Sequence, residues 1–159
     1  MIQVYLDTCI VSGLADPDLK EEQRAAERVA ALANSSRVSL VASSVAREEL
    51  EKIPVEYREP HLAQYSLLGQ LSSAQTTWLQ PMSREAATDP VYQALVAALP
   101  DRVDAEHIFQ AHSSNVTTFL TTDKKTILRH REHIRSICNV NVMLPSEFLA
   151  SSSLTSACS

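Results

Sequence analysis

The sequence predicts an α/β fold in which a mainly parallel sheet is covered by helices on both faces. Short apolar runs rich in β-branched and aromatic residues alternate with stretches whose apolar residues recur every three or four positions. Parallel strands need long crossovers, and the helical stretches between the runs supply them. The 159 residues suit one domain, large enough to bury about two thirds of the surface its unfolded chain exposes. We assign residues 1–150 to that domain. Residues 151–159, small and polar, form a tail expected to fray.

The first run, Ile2 to Leu6, reads as a buried parallel strand. Asp16-Pro17 opens a helix, with Asp as N-cap and Pro at the first helical position, carrying Leu19, Ala26, Val29, Ala30 and Ala33 on one face. Arg37 to Ala42 is the second strand. Ser43 or Ser44 caps the helix of Val45, Leu50 and Ile53, which Pro54 stops. Residues 54–100 read as mostly helical, with apolar stripes at Leu62, Tyr65, Leu68 and Leu71 and at Val91, Leu95, Val96 and Leu99. Thr76 to Leu79 is a strand or a connector. A helix from about Val103 to Ser113, a strand from Val116 to Thr121, a helix from about Thr126 to Ile134 and a strand from Val140 to Leu144 close the core.

Composition narrows the chemistry. Fourteen Lys and Arg against 19 Asp and Glu leave a net charge of −5, which excludes a protein that holds nucleic acid through a broadly basic surface. Two glycines far apart exclude glycine-rich phosphate loops. Cys9, Cys138 and Cys158 show neither a CxxC pair nor zinc spacing and read as reduced thiols of a cytoplasmic protein. No run approaches the ~18 apolar residues of a membrane span, so no membrane partner is expected.

In a parallel α/β sheet, ligands bind beyond the carboxyl ends of the strands. Asp7 is the first polar side chain after the first strand, and Asp123 holds the same place after the strand ending at Thr121. Glu49 lies at the margin of the apolar face of its helix, with Glu48 turned towards solvent, and Asp104 falls at the start of a helix. The competing reading is local: Asp7, Asp104 and Asp123 cap helices, and Glu48 and Glu49 are solvated acids near a helix N-terminus. Carboxylates converging on one crevice repel one another until protons or cations relieve them. Oxygen-only donors favour Mg²⁺ or Mn²⁺ over zinc, and such sites activate water for attack on phosphodiesters.

The segments Leu6-Asp7-Thr8-Cys9-Ile10, the acidic helix ending in Glu49-Leu50, Asp104-Ala105-Glu106-His107-Ile108 and Leu120-Thr121-Thr122-Asp123-Lys124-Lys125 occur in the order of the PIN-domain ribonuclease pattern. From residue 2 to about 144 the chain resembles that family. The resemblance implies a Rossmann-like three-layer α/β/α sandwich and a Mg²⁺- or Mn²⁺-dependent endoribonuclease. In many members that enzyme is the toxin of a VapC-like toxin–antitoxin pair. It implies Asp7, Glu49, Asp104 and Asp123 as catalytic, metal-binding acids, with Glu48 as the alternative to Glu49. Thr8 or Ser12, and Thr121, would support them through hydroxyl hydrogen bonds. RNA would be the substrate, with an antitoxin protein and a second copy of the chain as further partners. Segment 54–100 is longer than in the most compact toxins, and Lys124-Lys125-Thr126-Ile127 replaces the usual hydrophobic ending after the last acid.

Lys124, Lys125, Arg129, Arg131 and Arg135 concentrate five of the 14 basic residues in one stretch. Lys124, Lys125 and Arg129 are the candidate RNA contacts, against the alternative of a solvated helix face. His107 reads as a packed or hydrogen-bonded helix residue. The rival readings are a catalytically silent module of the same fold that acts by binding protein or RNA, and an unrelated flavodoxin-like sandwich whose acids are caps.

Overall fold

The computed structural model describes residues 1–12, 20–52, 54, 56, 69–71 and 74–151, apart from the side chains of residues 12 and 49–51. Five strands form one sheet: β1 (Ile2–Leu6), β2 (Val38–Ser43), β3 (Thr77–Leu79), β4 (Thr118–Leu120) and β5 (Asn141–Met143). Their order is β3-β2-β1-β4-β5 and every pairing is parallel. The chain steps outwards from β1 to β3 and then returns to β4 on the other side of β1. The strand order therefore reverses between β1 and β4, which is where open parallel sheets place their ligand crevice.

Alternation along each strand divides the core into two layers. Val4 and Leu6 of β1, Leu40 and Ala42 of β2 and Leu120 of β4 face one side. There they meet α1 (Thr8–Ser12), α2 (Lys20–Asn34), α3 (Ser44–Glu51) and α7 (Pro145–Ala150) through Ile10, Val29, Ala30, Ala46 and Phe148. Tyr5, Val41, Phe119 and Val142 face the other side. They pack on α4 (Pro90–Ala98), α5 (Arg102–Ser113) and α6 (Arg131–Cys138) through Tyr92, Leu95, Ile108, Phe109 and Ile134. This is the three-layer α/β/α sandwich, and the period-two side-chain alternation of strands with apolar residues on both faces produces it.

Several boundaries differ from the sequence reading for local reasons. Val116 does not enter β4, because its N–H closes the end of α5 on the Ala111 carbonyl (2.9 Å), beside Asn115 in the left-handed region (φ 58°). In place of a helix from Thr126, a turn capped by Asp123 leads through a 3₁₀ turn at Leu128–His130 into α6. The left-handed Asn139 (φ 58°) ends α6. The short helices α1 and α7 are additional to the expected elements; α7 starts with Pro145 at its first position and Glu147 accepting from the Leu144 N–H at 2.9 Å. The helix start at Asp16-Pro17, the side chains of Leu50 and Ile53, the positions Leu62, Tyr65 and Leu68, and the tail from residue 152 lie outside the described residues. Among the described residues no helix is long and apolar enough to cross a membrane.

Candidate functional site

Register puts the ends of β1 and β4 side by side, with Leu6 opposite Leu120 and Ala42 flanking Leu6 on β2. The next residues, Asp7 and Thr121, emerge together at the carboxyl edge. The Asp7 N–H continues the ladder to the Leu120 carbonyl at 2.9 Å, so the backbone holds Asp7 in place before its side chain makes any contact. Asp7 is only 4 % exposed. Its Oδ1 accepts from the Thr8 N–H (2.8 Å), and its Oδ2 accepts from the Thr121 hydroxyl (2.7 Å) and the Cys9 thiol (3.0 Å). A buried carboxylate needs such donors to remain in place.

Asp123, half-buried, closes the turn after β4. Its Oδ1 accepts from the N–H groups of Lys125 and Thr126 (both 2.9 Å), and the Thr126 hydroxyl donates to its Oδ2. Burial alone would raise its carboxyl, but these hydrogen bonds and the Lys125 charge outweigh burial and hold it below the usual value. The Thr121 hydroxyl also accepts from the Asp123 N–H (3.0 Å), so one threonine links both acids.

Asp104 projects from the first turn of α5, whose N-cap is Asp101 accepting from the Val103 N–H at 2.8 Å. Its carboxyl is raised to about 6, by burial first and then by the negative charges of Asp7, Asp101 and Asp123. The neighbouring Thr126 hydroxyl pulls the other way. Asp7 and Asp123 are therefore close enough for their charges to act on Asp104.

Two neighbours of the cluster went unassigned at the sequence level. Cys9 joins the two strand ends: besides donating to Asp7, its sulfur accepts from the Thr122 N–H (3.4 Å) and hydroxyl (3.3 Å), and burial followed by the Asp7 charge pushes the thiol up to about 12. Such a thiol is a hydrogen-bonding group and no nucleophile. Thr126 donates both its N–H and its hydroxyl to Asp123; its place three residues after Asp123 is the spacing of a capping interaction, a signal present in the sequence.

Of the remaining candidates, Glu48 is exposed on α3, and Glu49 lies in the same helix with its side chain outside the described part, as does that of Ser12 in α1. Thr8 supports Asp7 through its backbone N–H, while its hydroxyl turns to His107 at 3.0 Å. Lys124, Lys125 and Arg129 are exposed beyond Asp123.

Besides the Cys9 thiol, the polar groups here are carboxylate and hydroxyl oxygens, the donor type that Mg²⁺ or Mn²⁺ takes, and neighbouring negative charge adds to burial in raising Asp104. On the same edge, the Ser44 hydroxyl at the start of α3 is buried with no hydrogen-bond partner. Among the described residues no three His, Cys, Asp or Glu side chains are grouped to hold a metal ion between them. The fold and the site together define a class: a doubly wound parallel α/β protein with acids at the carboxyl edge where its strand order reverses. Comparison with known protein families, curated proteins and solved structures finds no match to this chain.

Proposed function

We propose that the chain is a PIN-like endoribonuclease dependent on Mg²⁺ or Mn²⁺, working in the cytoplasm. The observation that carries this reading is that Asp7 and Asp123 leave neighbouring strands at the strand-order reversal, joined through the Thr121 hydroxyl, with Asp104 near enough for their charges to add to the effect of burial on its carboxyl. Asp7, Asp104 and Asp123 would hold the metal, joined by Glu49 from α3, or by Glu48 in its place. The metal would lower the pKa of a bound water and offset charge developing on a phosphodiester. Thr121 fixes Asp7 and Asp123 relative to one another, Thr126 holds Asp123 in its turn, and Lys124, Lys125 and Arg129 would meet the RNA phosphates. In the toxin form of this reading an antitoxin protein would be the partner and the chain would pair with a second copy.

The test is calorimetric titration of Mn²⁺ together with cleavage of single-stranded RNA, comparing the full chain with Asp7→Asn. The native chain should bind Mn²⁺ and cleave; the variant should do neither. Metal-independent cleavage, or cleavage retained by Asp7→Asn, rejects the reading. A second reading, a catalytically silent module of the same fold that binds RNA or protein, is favoured by one observation: Asp123 uses both carboxylate oxygens to close its own turn. Mn²⁺ binding and RNA binding without cleavage would select it.

A further inference from the structure

A chain of hydrogen bonds runs from the end of β3 to α1, and its polarity can be followed from the end that can only accept. The Gln80 carbonyl can only accept, so the Gln110 amide must turn its Nε2 towards it, at 2.9 Å. That turns Gln110 Oε1 towards Tyr5, whose hydroxyl donates to it at 2.8 Å. A phenol has one proton. With that proton directed to Gln110, the Tyr5 oxygen can only accept from the ring nitrogen beside it, His107 Nδ1 at 2.9 Å. Nδ1 therefore carries hydrogen, and Nε2 of the neutral ring is an acceptor. The atom facing Nε2 is Thr8 Oγ1, at 3.0 Å. Tyr5 is fully buried and stacked on Phe119 (centroids 5.0 Å apart, planes 10° apart), while Gln110 and His107 are 8 % and 9 % exposed, so the links have little room to reverse.

We propose that His107 is a positioning residue. As the Nδ1–H tautomer it takes the Thr8 hydroxyl proton and so fixes the orientation of that hydroxyl beside Asp7. The two threonines beside Asp7 then turn their protons apart: Thr121 donates to Asp7, while Thr8 donates to His107. The bearing on catalysis rests on the ribonuclease reading; the tautomer and the direction of the Thr8 proton do not.

Long-range ¹H–¹⁵N correlation spectra of the full chain without metal should show His107 protonated at Nδ1 and bare at Nε2, with a slowly exchanging Thr8 hydroxyl proton. In His107→Asn the shorter amide reaches only Tyr5 and the Thr8 signal should disappear; His107→Gln places an amide oxygen near the Nε2 position and should restore it. Cleavage by His107→Asn should fall about 10–100-fold in kcat with little change in KM, and His107→Gln should recover most of the loss. A proton on Nε2 in place of Nδ1, or a Thr8 proton that exchanges equally fast in the native chain and His107→Asn, overturns the assignment whatever the nuclease assay shows. Equal cleavage by the native chain and His107→Asn overturns the positioning role. If the spectra hold and the native chain cleaves no RNA, the ribonuclease reading fails and the assignment of His107 stands.

Discussion

Asp104 carries the clearest consequence of crowding acids at one strand edge. An unfolded Asp titrates near ~3.9, whereas burial and the charges of Asp7, Asp101 and Asp123 raise the native carboxyl to about 6. Between those values the native protein keeps a proton that the unfolded chain has released. The stability from this group is complete below about pH 4 and is lost as pH rises through about 6. In EDTA, the unfolding free energy of the native chain relative to Asp104→Asn should therefore decline from pH 4 to pH 6.5 in urea titrations. A difference that stays flat across that range removes the crowding argument. Asp123 has the opposite sign: burial opposes its charge, the hydrogen bonds from Thr126 and Lys125 prevail, and its contribution is present at neutral pH and fades on acidification. At this scale the sequence singled out Asp7 and Asp123, since a polar residue after a buried strand emerges at the edge, and Asp104 through the order of the family's motifs. It could not show that Thr8 turns its hydroxyl to His107, nor that Cys9 ties Asp7 to Thr122, because those contacts span 99 and 113 positions.

Among the elements, α5 matters most to the site, because its first turn delivers Asp104 and its buried residues include His107 and Gln110. Asp101 has two effects there: it caps the helix through the Val103 N–H, and its charge raises Asp104. Asp101→Ala should cost about 0.5–2 kcal/mol of stability in urea unfolding, and Asp101→Ser should return most of it by capping without charge. If the Ala variant loses nothing, the cap contributes nothing to α5. The helix from about Val103 to Ser113 was legible from its capping acids and apolar spacing, and it runs from Arg102 to Ser113. The turn after β4 was not. A capping Asp followed by Lys-Lys-Thr looks like the start of a helix, yet the Leu128 N–H returns to the Asp123 carbonyl at 2.9 Å and tightens the segment before α6 begins.

For the whole molecule, the net charge of −5 hides an uneven distribution. Acids gather at the reversal of strand order, and exposed Lys124, Lys125 and Arg129 follow directly after Asp123. If these three meet RNA phosphates, changing all of them to Ala should weaken binding and flatten the log–log salt dependence by about two, at ~0.7 per phosphate contact on a single strand. Equal affinity across salt concentrations would reduce them to a solvated face.

The sequence by itself determined the α/β/α class and the carboxyl edge to which Asp7 and Asp123 belong. Strand alternation and apolar periodicity are local, and burial enforces them residue by residue. Only the tertiary structure decided the strand order β3-β2-β1-β4-β5, which sets β1 beside β4 and so brings together acids more than a hundred positions apart. It also decided which partner each hydroxyl, thiol and ring nitrogen takes. Strand order depends on how both helical layers pack at once, and hydrogen-bond polarity depends on every donor and acceptor within reach. Neither is a property of a local stretch of chain.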